Sequence, residues 1–288
     1  MTKMTKHKQF DPKAKLLITE ADAERYANWA EARNRNETYE PFIRACSTHS
    51  LGRKHYFFCP VLKRTVKLLS DGELLAYKHL IWQPGVINIE EQYALNPSRT
   101  FEIATEKGVV HPYSYKQHIH HVMTSDFRVT SLNHEGVPVK HTYAYKPNFD
   151  PNKPSRTRQK LEIERCYSAA ENIGYRVLTS ENVTKAWYMT LRFCEMHYDE
   201  SLSPQDLEEF SQVLTRAHIN QPWQPLRQLL TRIAAVFSYS LRKSERHFKN
   251  AVLKRFICPD HNTPIQLNKP LLLKNQPLLE LEELPYAV

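Results

Sequence analysis

No run of 18 apolar residues occurs anywhere in this 288-residue chain, so no segment reads as a membrane-spanning helix. The opening MTKMTKHKQFDPKAK carries lysines but no apolar core, which does not read as a secretory signal. Residues 1–18 are instead expected to form a flexible basic arm. The five cysteines, Cys46, Cys59, Cys166, Cys194 and Cys258, are odd in number and include no CxxC pair. That argues against a disulfide framework and against a zinc ribbon, and favours free thiols in a reducing cytoplasm. Cys258 and His261, in CPDH, lack a second pair nearby and read as a turn. Internal repeats and low-complexity runs are also missing.

What is present is a modest excess of positive charge. Lys and Arg number 40 against 31 Asp and Glu, a formal net charge of +9. Such a balance favours a polyanionic partner, nucleic acid before a membrane surface, over the plainer reading of a basic soluble protein. The apolar fraction of 41% is enough for a core, and the length suits two domains or one large one.

Two textures divide the chain. A helix is expected over 19–35, a hairpin from strands at 55–59 and 65–69, and a helix from Ser70 to Pro84-Gly85 with Ser70 and Glu73 at capping-box spacing. A strand follows at 86–93. Residues 96–112 read as loop with room for a short strand. Strands at 122–130 and 139–146 enclose a turn of Asn133, His134, Glu135 and Gly136, and Pro147 stops the second. A basic loop leads to a helix at 159–172 and a strand at 175–179. This mixture predicts one α/β domain over 19–179. From 180 onward the pattern is helical, at 181–198, 203–219, 223–239 and 244–256, followed by short runs near Ile257, Leu267 and Leu272. Residues 180–275 are expected to be a helical domain, either winged-helix-like or a plain bundle, with a loose acidic tail at 276–288.

The chemistry-bearing stretch is 121–147. Side chains alternate along a strand, so Asp126 shares a face with Thr124 and Arg128, and Lys146 shares one with Thr142 and Ala144. A carboxylate and an ammonium on neighbouring strands can meet there. An ordinary cross-strand salt bridge explains that pairing; so does a nuclease centre, with Asp126 holding a divalent cation and Lys146 polarising water. His118, His120 and His121 are expected to face solvent or contact phosphate. The basic run Lys153, Arg156, Arg158 and Lys160 either grips a DNA backbone or is a solvated loop. The late cluster Arg242, Lys243, Arg246, Lys249, Lys254 and Arg255 either faces DNA or a partner or is a solvated helix face.

Order along the chain adds a resemblance. LLSDGELLAYKHL, VINIEEQYAL, HHVMTSDFRV, YAYKP and KLEIERCY occur in sequence between 53 and 167. At these words the chain resembles the TnsA endonuclease family of cut-and-paste transposons. The resemblance implies a restriction-endonuclease-like domain. Within it Glu73 and Asp126 would be acidic metal ligands and Lys146 the catalytic lysine, with Mg²⁺ as cofactor and Mn²⁺ able to substitute. Glu164 is matched as well, without a defined role. The family often carries Gln two residues before the lysine, and related nucleases an acid. Here that residue is Ala144, which leaves the carbonyl of Tyr145 or a water to complete the metal's oxygen set. The resemblance further implies nicking at the 5′ ends of a transposon, alongside a TnsB-like transposase that cuts and joins the 3′ ends. A TnsC-like ATPase regulator would be docked by the C-terminal domain. A catalytically weak DNA-binding adaptor of the same complex is the alternative. The implied location is the cytoplasm, at the nucleoid when assembled.

Overall fold

The computed structural model describes residue 11 and residues 13–35, 38–43 and 52–274. The first ten residues of the expected arm, Cys46 and the acidic tail lie outside them. The chain divides into two compact units, Met1–Tyr77 with Gly85–Asn182, and Lys78–Pro84 with Val183–Val288. In chain order the first holds α1 (Glu20–Asn34), β1 (His55–Cys59), β2 (Arg64–Leu68), the start of α2 (Asp71–Ile81), β3 (Val86–Ala94), α3 (Pro97–Glu106), β4 (Tyr113–Ser114), β5 (Ile119–His120), β6 (Thr124–Leu132), β7 (Pro138–Tyr145), α4 (Arg156–Ala170) and β8 (Gly174–Leu178).

The first unit is organised on a mixed sheet in the order β3-β6-β7-β8. Its first three strands are antiparallel, and β8 runs parallel to β7. Parallel neighbours need a crossover, and α4 supplies it. The β6–β7 connection follows its turn chemistry. The Asn133 side-chain oxygen accepts from the N–H groups of Glu135 at 3.0 Å and Val137 at 2.8 Å, and Gly136 sits at φ +76°. Gly85, at φ +72°, lies so close to Leu132 that a Cβ would fall 2.4 Å from its carbonyl oxygen. That contact fixes where β3 enters beside the end of β6. Around α3 and α4, Tyr93, Leu95, Ile103, Met123, Ile163 and Tyr167 form one apolar cluster.

One expectation fails here. Residues 97–106 are helix, not loop. Asn96 accepts from the Arg99 N–H at 3.1 Å and Pro97 takes the first helical position. This is a cap followed by a residue whose missing N–H costs nothing there. Only Thr100, Ile103 and Ala104 continue the buried stripe beyond Pro97, so the apolar signal is weak.

Charged residues tie the β1–β2 hairpin and α1 to β3. Glu91, fully buried, accepts from Arg64 Nη1 at 2.9 Å and Nη2 at 2.6 Å, and from the Lys67 N–H at 3.1 Å. Glu90 accepts from Arg33 Nε at 2.9 Å. At the other end of the unit, Leu17 is tied down: its N–H donates to His120 Nδ1 at 3.0 Å. That anchors the last part of the basic arm.

The second unit is helical, with α5 (Lys185–Glu195), α6 (Pro204–Asn220), α7 (Leu226–Val236) and α8 (Leu241–Leu253). Thr184, Ser203 and Ser240 cap α5, α6 and α8 through their side chains. Trp187, Leu191, Leu207, Phe210, Leu230 and Phe248 are buried among them. The segment after α8 makes two isolated bridges, Pro225 with Pro270 and Pro259 with Leu273, rather than a continuous hairpin. Proline has no N–H to extend a ladder. Among the described residues no helix is long and apolar enough to cross a membrane.

Candidate active site

Glu73 lies in the first turn of α2. Its N–H donates to Ser70 Oγ at 3.2 Å, while its Oε2 accepts from the Leu69 N–H at 2.9 Å and from Gln92 Nε2 at 2.6 Å. The Ser70 hydroxyl thus caps the helix start, while the Glu73 carboxylate bonds the backbone just before it and reaches across to β3. Burial first, and then the negative charge of Asp126, raise its pKa; the bonds from Leu69 and Gln92 and the Lys146 charge oppose the rise.

Asp126 projects from β6. Its Oδ2 accepts from the Tyr145 N–H at 2.7 Å and from Lys146 Nζ at 2.8 Å. The expected cross-strand pair is thus present, and Glu73 is within electrostatic reach of both partners. Burial works against the Lys146 ammonium, but the charge and hydrogen bond of Asp126 outweigh it, so the pKa lies above the usual lysine value. At neutral pH Lys146 is accordingly a donor and a cation, not a base.

Gly72 controls how closely these elements approach. A Cβ there would fall 2.6 Å from Cε1 of Tyr145. The residue before Glu73 and the residue before Lys146 therefore meet in one contact.

Behind Asp126 sits Glu164 of α4, buried, accepting from Ser125 Oγ at 3.2 Å and Tyr175 Oη at 3.4 Å. Burial first, and then Asp126, push its pKa up to about 8. Folding thus takes up a proton at this group between its ordinary value of about 4.3 and about 8, so its contribution to stability falls as pH rises through that window. Glu164→Gln, which cannot ionise, should flatten the pH dependence of the unfolding free energy between pH 5 and 8 by close to one proton. Urea titrations at several pH values would measure this, and parallel curves for the two proteins would contradict it.

The basic run is not a loop throughout. Lys153 is exposed in a turn, but Arg156, Arg158 and Lys160 are in the first turns of α4, where Ser155 Oγ accepts from the Arg158 N–H at 3.1 Å. Ser155 gives the helix its start and explains why it begins before Gln159. Arg156, Lys160 and Glu164 follow at four-residue spacing, which puts them on one side of α4. Lys160 senses both Glu164 and Lys146; burial, and then Arg156, lower its pKa. Arg158 lies off that stripe. Ala144 is buried and adds no polar group.

The histidines depart from expectation. His118 and His121 are exposed, but His120 is buried against Phe101 and Tyr113, each ring centroid 5.0 Å away, and beside His111 at 5.5 Å. An aromatic box and the anchored Leu17, not solvent, surround it. The late basic cluster also splits. Lys249 and Arg255 are buried, and Arg246 pairs with Asp199 at 3.2 Å.

Gln92 was not singled out by sequence. It is buried, has φ +47° inside β3, and its Oε1 is buried without a hydrogen-bond partner. Its position inside a run of buried polar residues, Glu90-Glu91-Gln92, was the available signal.

Among the described residues, no three His, Cys, Asp or Glu side chains lie close enough to hold a metal by themselves. Mg²⁺ is usually held by one or two carboxylates and keeps several waters. Glu73 and Asp126, both hard oxygen donors, fit that pattern, as does an orphaned amide oxygen on the adjacent strand.

Residues 83–180 match the family described as TnsA-like endonuclease N terminal. The span includes Gln92, Asp126, Lys146 and Glu164, and begins after Glu73. The chain is also similar to the transposon Tn7 transposition protein TnsA of Escherichia coli, 25% identical over 281 residues, which cover 96% of this chain and 98% of that protein.

Proposed function

We propose that the chain, which matches the TnsA-like endonuclease N-terminal family over residues 83–180 and is similar along most of its length to a Tn7 transposition protein, is a transposition-related endonuclease that hydrolyses phosphodiesters at the 5′ ends of a Tn7-like element, using a divalent cation. The observation that carries this reading is the convergence of Lys146 on Asp126 at 2.8 Å with the Glu73 carboxylate in electrostatic range. These three groups come from the first turn of α2, from β6 and from the residue that follows β7.

When bound, Mg²⁺ supplies Lewis-acid stabilisation of phosphate oxygens and a source of attacking water. The protein's own groups do the rest. Lys146, held charged by Asp126, donates to a non-bridging phosphate oxygen or orients the attacking water. The Tyr145 N–H and Lys146 Nζ fix the rotamer of Asp126. Leu69 and Gln92 fix Glu73. Arg156 and Lys160 on the exposed start of α4 suit a DNA backbone approaching the same edge. Partners follow by family: DNA at the element's ends, a TnsB-like transposase and a TnsC-like ATPase.

Ala144 favours a second reading, a catalytically weak DNA-binding adaptor, because it offers no oxygen where the family often has one. An excision reaction reconstituted with the partner proteins distinguishes the two. The nuclease produces 5′-strand nicks that disappear on chelation with EDTA and return with Mg²⁺ or Mn²⁺. The adaptor produces none under any of these conditions, while 3′-end joining proceeds.

A further inference from the structure

Gln92 combines three features that a structural glutamine in a strand does not need. Its backbone is left-handed, at φ +47°, in the interior of β3, a conformation that side-chain-bearing residues adopt at a cost and that concentrates at functional sites. Its amide nitrogen is committed to Glu73 Oε2 at 2.6 Å. Because a carboxylate only accepts, that bond fixes which end of the amide is nitrogen. The other end, Oε1, is then an acceptor buried with no donor, an arrangement that native interiors rarely tolerate.

The strand register explains where this acceptor stands. Glu91 is opposite Phe127 and Tyr93 is opposite Ser125, so Gln92 lies abreast of Asp126. The left-handed turn also breaks the alternation of β3: Glu90, Glu91, Gln92 and Tyr93 are all buried. The Gln92 amide is thereby held against the Glu73 carboxylate, at the position of β3 abreast of Asp126. On the other neighbour of β6, β7, position 144 contributes only a methyl group.

We propose that Gln92 is a ligand of the divalent cation, its amide carbonyl supplying the oxygen that Ala144 lacks. An amide carbonyl suits Mg²⁺ or Mn²⁺ as a hard, neutral donor. Gln92 then serves the site at both ends: the nitrogen holds Glu73 in place and the oxygen faces the ion. The inference rests on the cation-dependent nuclease reading above.

The test is binding, not cleavage. Mn²⁺ is titrated into the full-length protein with a duplex DNA end present, and free ion is followed by electron paramagnetic resonance. The unaltered protein binds Mn²⁺ and Asp126→Ala does not. Gln92→Ala and Gln92→Gly weaken binding about tenfold or more. Gln92→Gly also removes the left-handed strain, so its melting temperature shows that the loss is not unfolding. Gln92→Glu binds at least as tightly as the unaltered protein, since a carboxylate still offers oxygen to the ion although it can no longer donate to Glu73. A residue that only positioned Glu73 would give the reverse order, with Gln92→Glu weakest because two carboxylates then face each other. That order, or unchanged affinity in Gln92→Ala and Gln92→Gly, overturns the assignment and leaves the nuclease reading standing. No Mn²⁺ binding by the unaltered protein overturns both.

Discussion

Lys146→Ala and Asp126→Ala are each expected to lower 5′-strand cleavage about a thousandfold in the reconstituted excision reaction, leaving 3′-end cutting and joining in place. Removing one preorganised charge-stabilising group typically costs 10²–10³ in rate, and here each change also strips its partner. Without Asp126, the Lys146 ammonium loses the group that offsets its burial, so both its position and its charge suffer. Without Lys146, Asp126 keeps only the Tyr145 N–H and loses the neighbouring cation. The expected product is an element joined at its 3′ ends and still attached to donor DNA at its 5′ ends, visible as a branched species on denaturing gels. Lys146→Met retains the aliphatic stem, and so separates loss of charge from loss of packing. Persistence of 5′ nicks in both the Asp126 and Lys146 variants would put the chemistry on other residues.

The largest expected effect on stability lies away from the site, at Arg64. Its guanidinium makes two bonds to the fully buried Glu91. Arg64→Ala leaves that carboxylate inside the protein without a counter-charge, a change that typically costs about 3–5 kcal/mol. Replacing both partners, as in Arg64→Met with Glu91→Leu, removes the buried charge altogether and should recover most of the loss. Urea denaturation of the three proteins checks this: the double variant should be much closer to the unaltered protein than the single one. A single variant within about 1 kcal/mol of the unaltered protein would mean that water reaches Glu91. The pair also bears on the site, because Glu91 immediately precedes Gln92, and a loosened β3 would carry both residues out of register.

The parts of this arrangement that could be read from sequence are those governed by local rules. The 133–136 turn needed only Asn133 and Gly136, and the facing of Asp126 and Lys146 followed from strict alternation on either side of it. The start of α2 was visible in Ser70 and Glu73, although the carboxylate bonds Leu69 and not the residue a capping box would use. The start of α4 was misplaced because Ser155 stands among prolines and basic residues, and α3 was missed because Asn96-Pro97 looks like a loop unless it is read as a cap. What remained invisible depends on distant partners. Glu90, Glu91 and Gln92 look like the solvated end of a strand until Arg33 and Arg64 are known to arrive from 57 and 27 residues away. His120 looks exposed until Leu17 returns to cover it. The roles proposed for Glu73, Asp126 and Lys146 rest on the ordered resemblance, since two charges on neighbouring strands are equally a salt bridge.

The bare backbone at Gly72, pressed against the Tyr145 ring, makes positions 72 and 145 a matched pair. A side chain gained on the helix must be met by a shift of the Tyr145 ring or by bulk lost from it. Second-site suppressors of a Gly72 lesion are therefore to be sought at Tyr145. Recovery there would restore the separation between Glu73 and Lys146 without touching either residue.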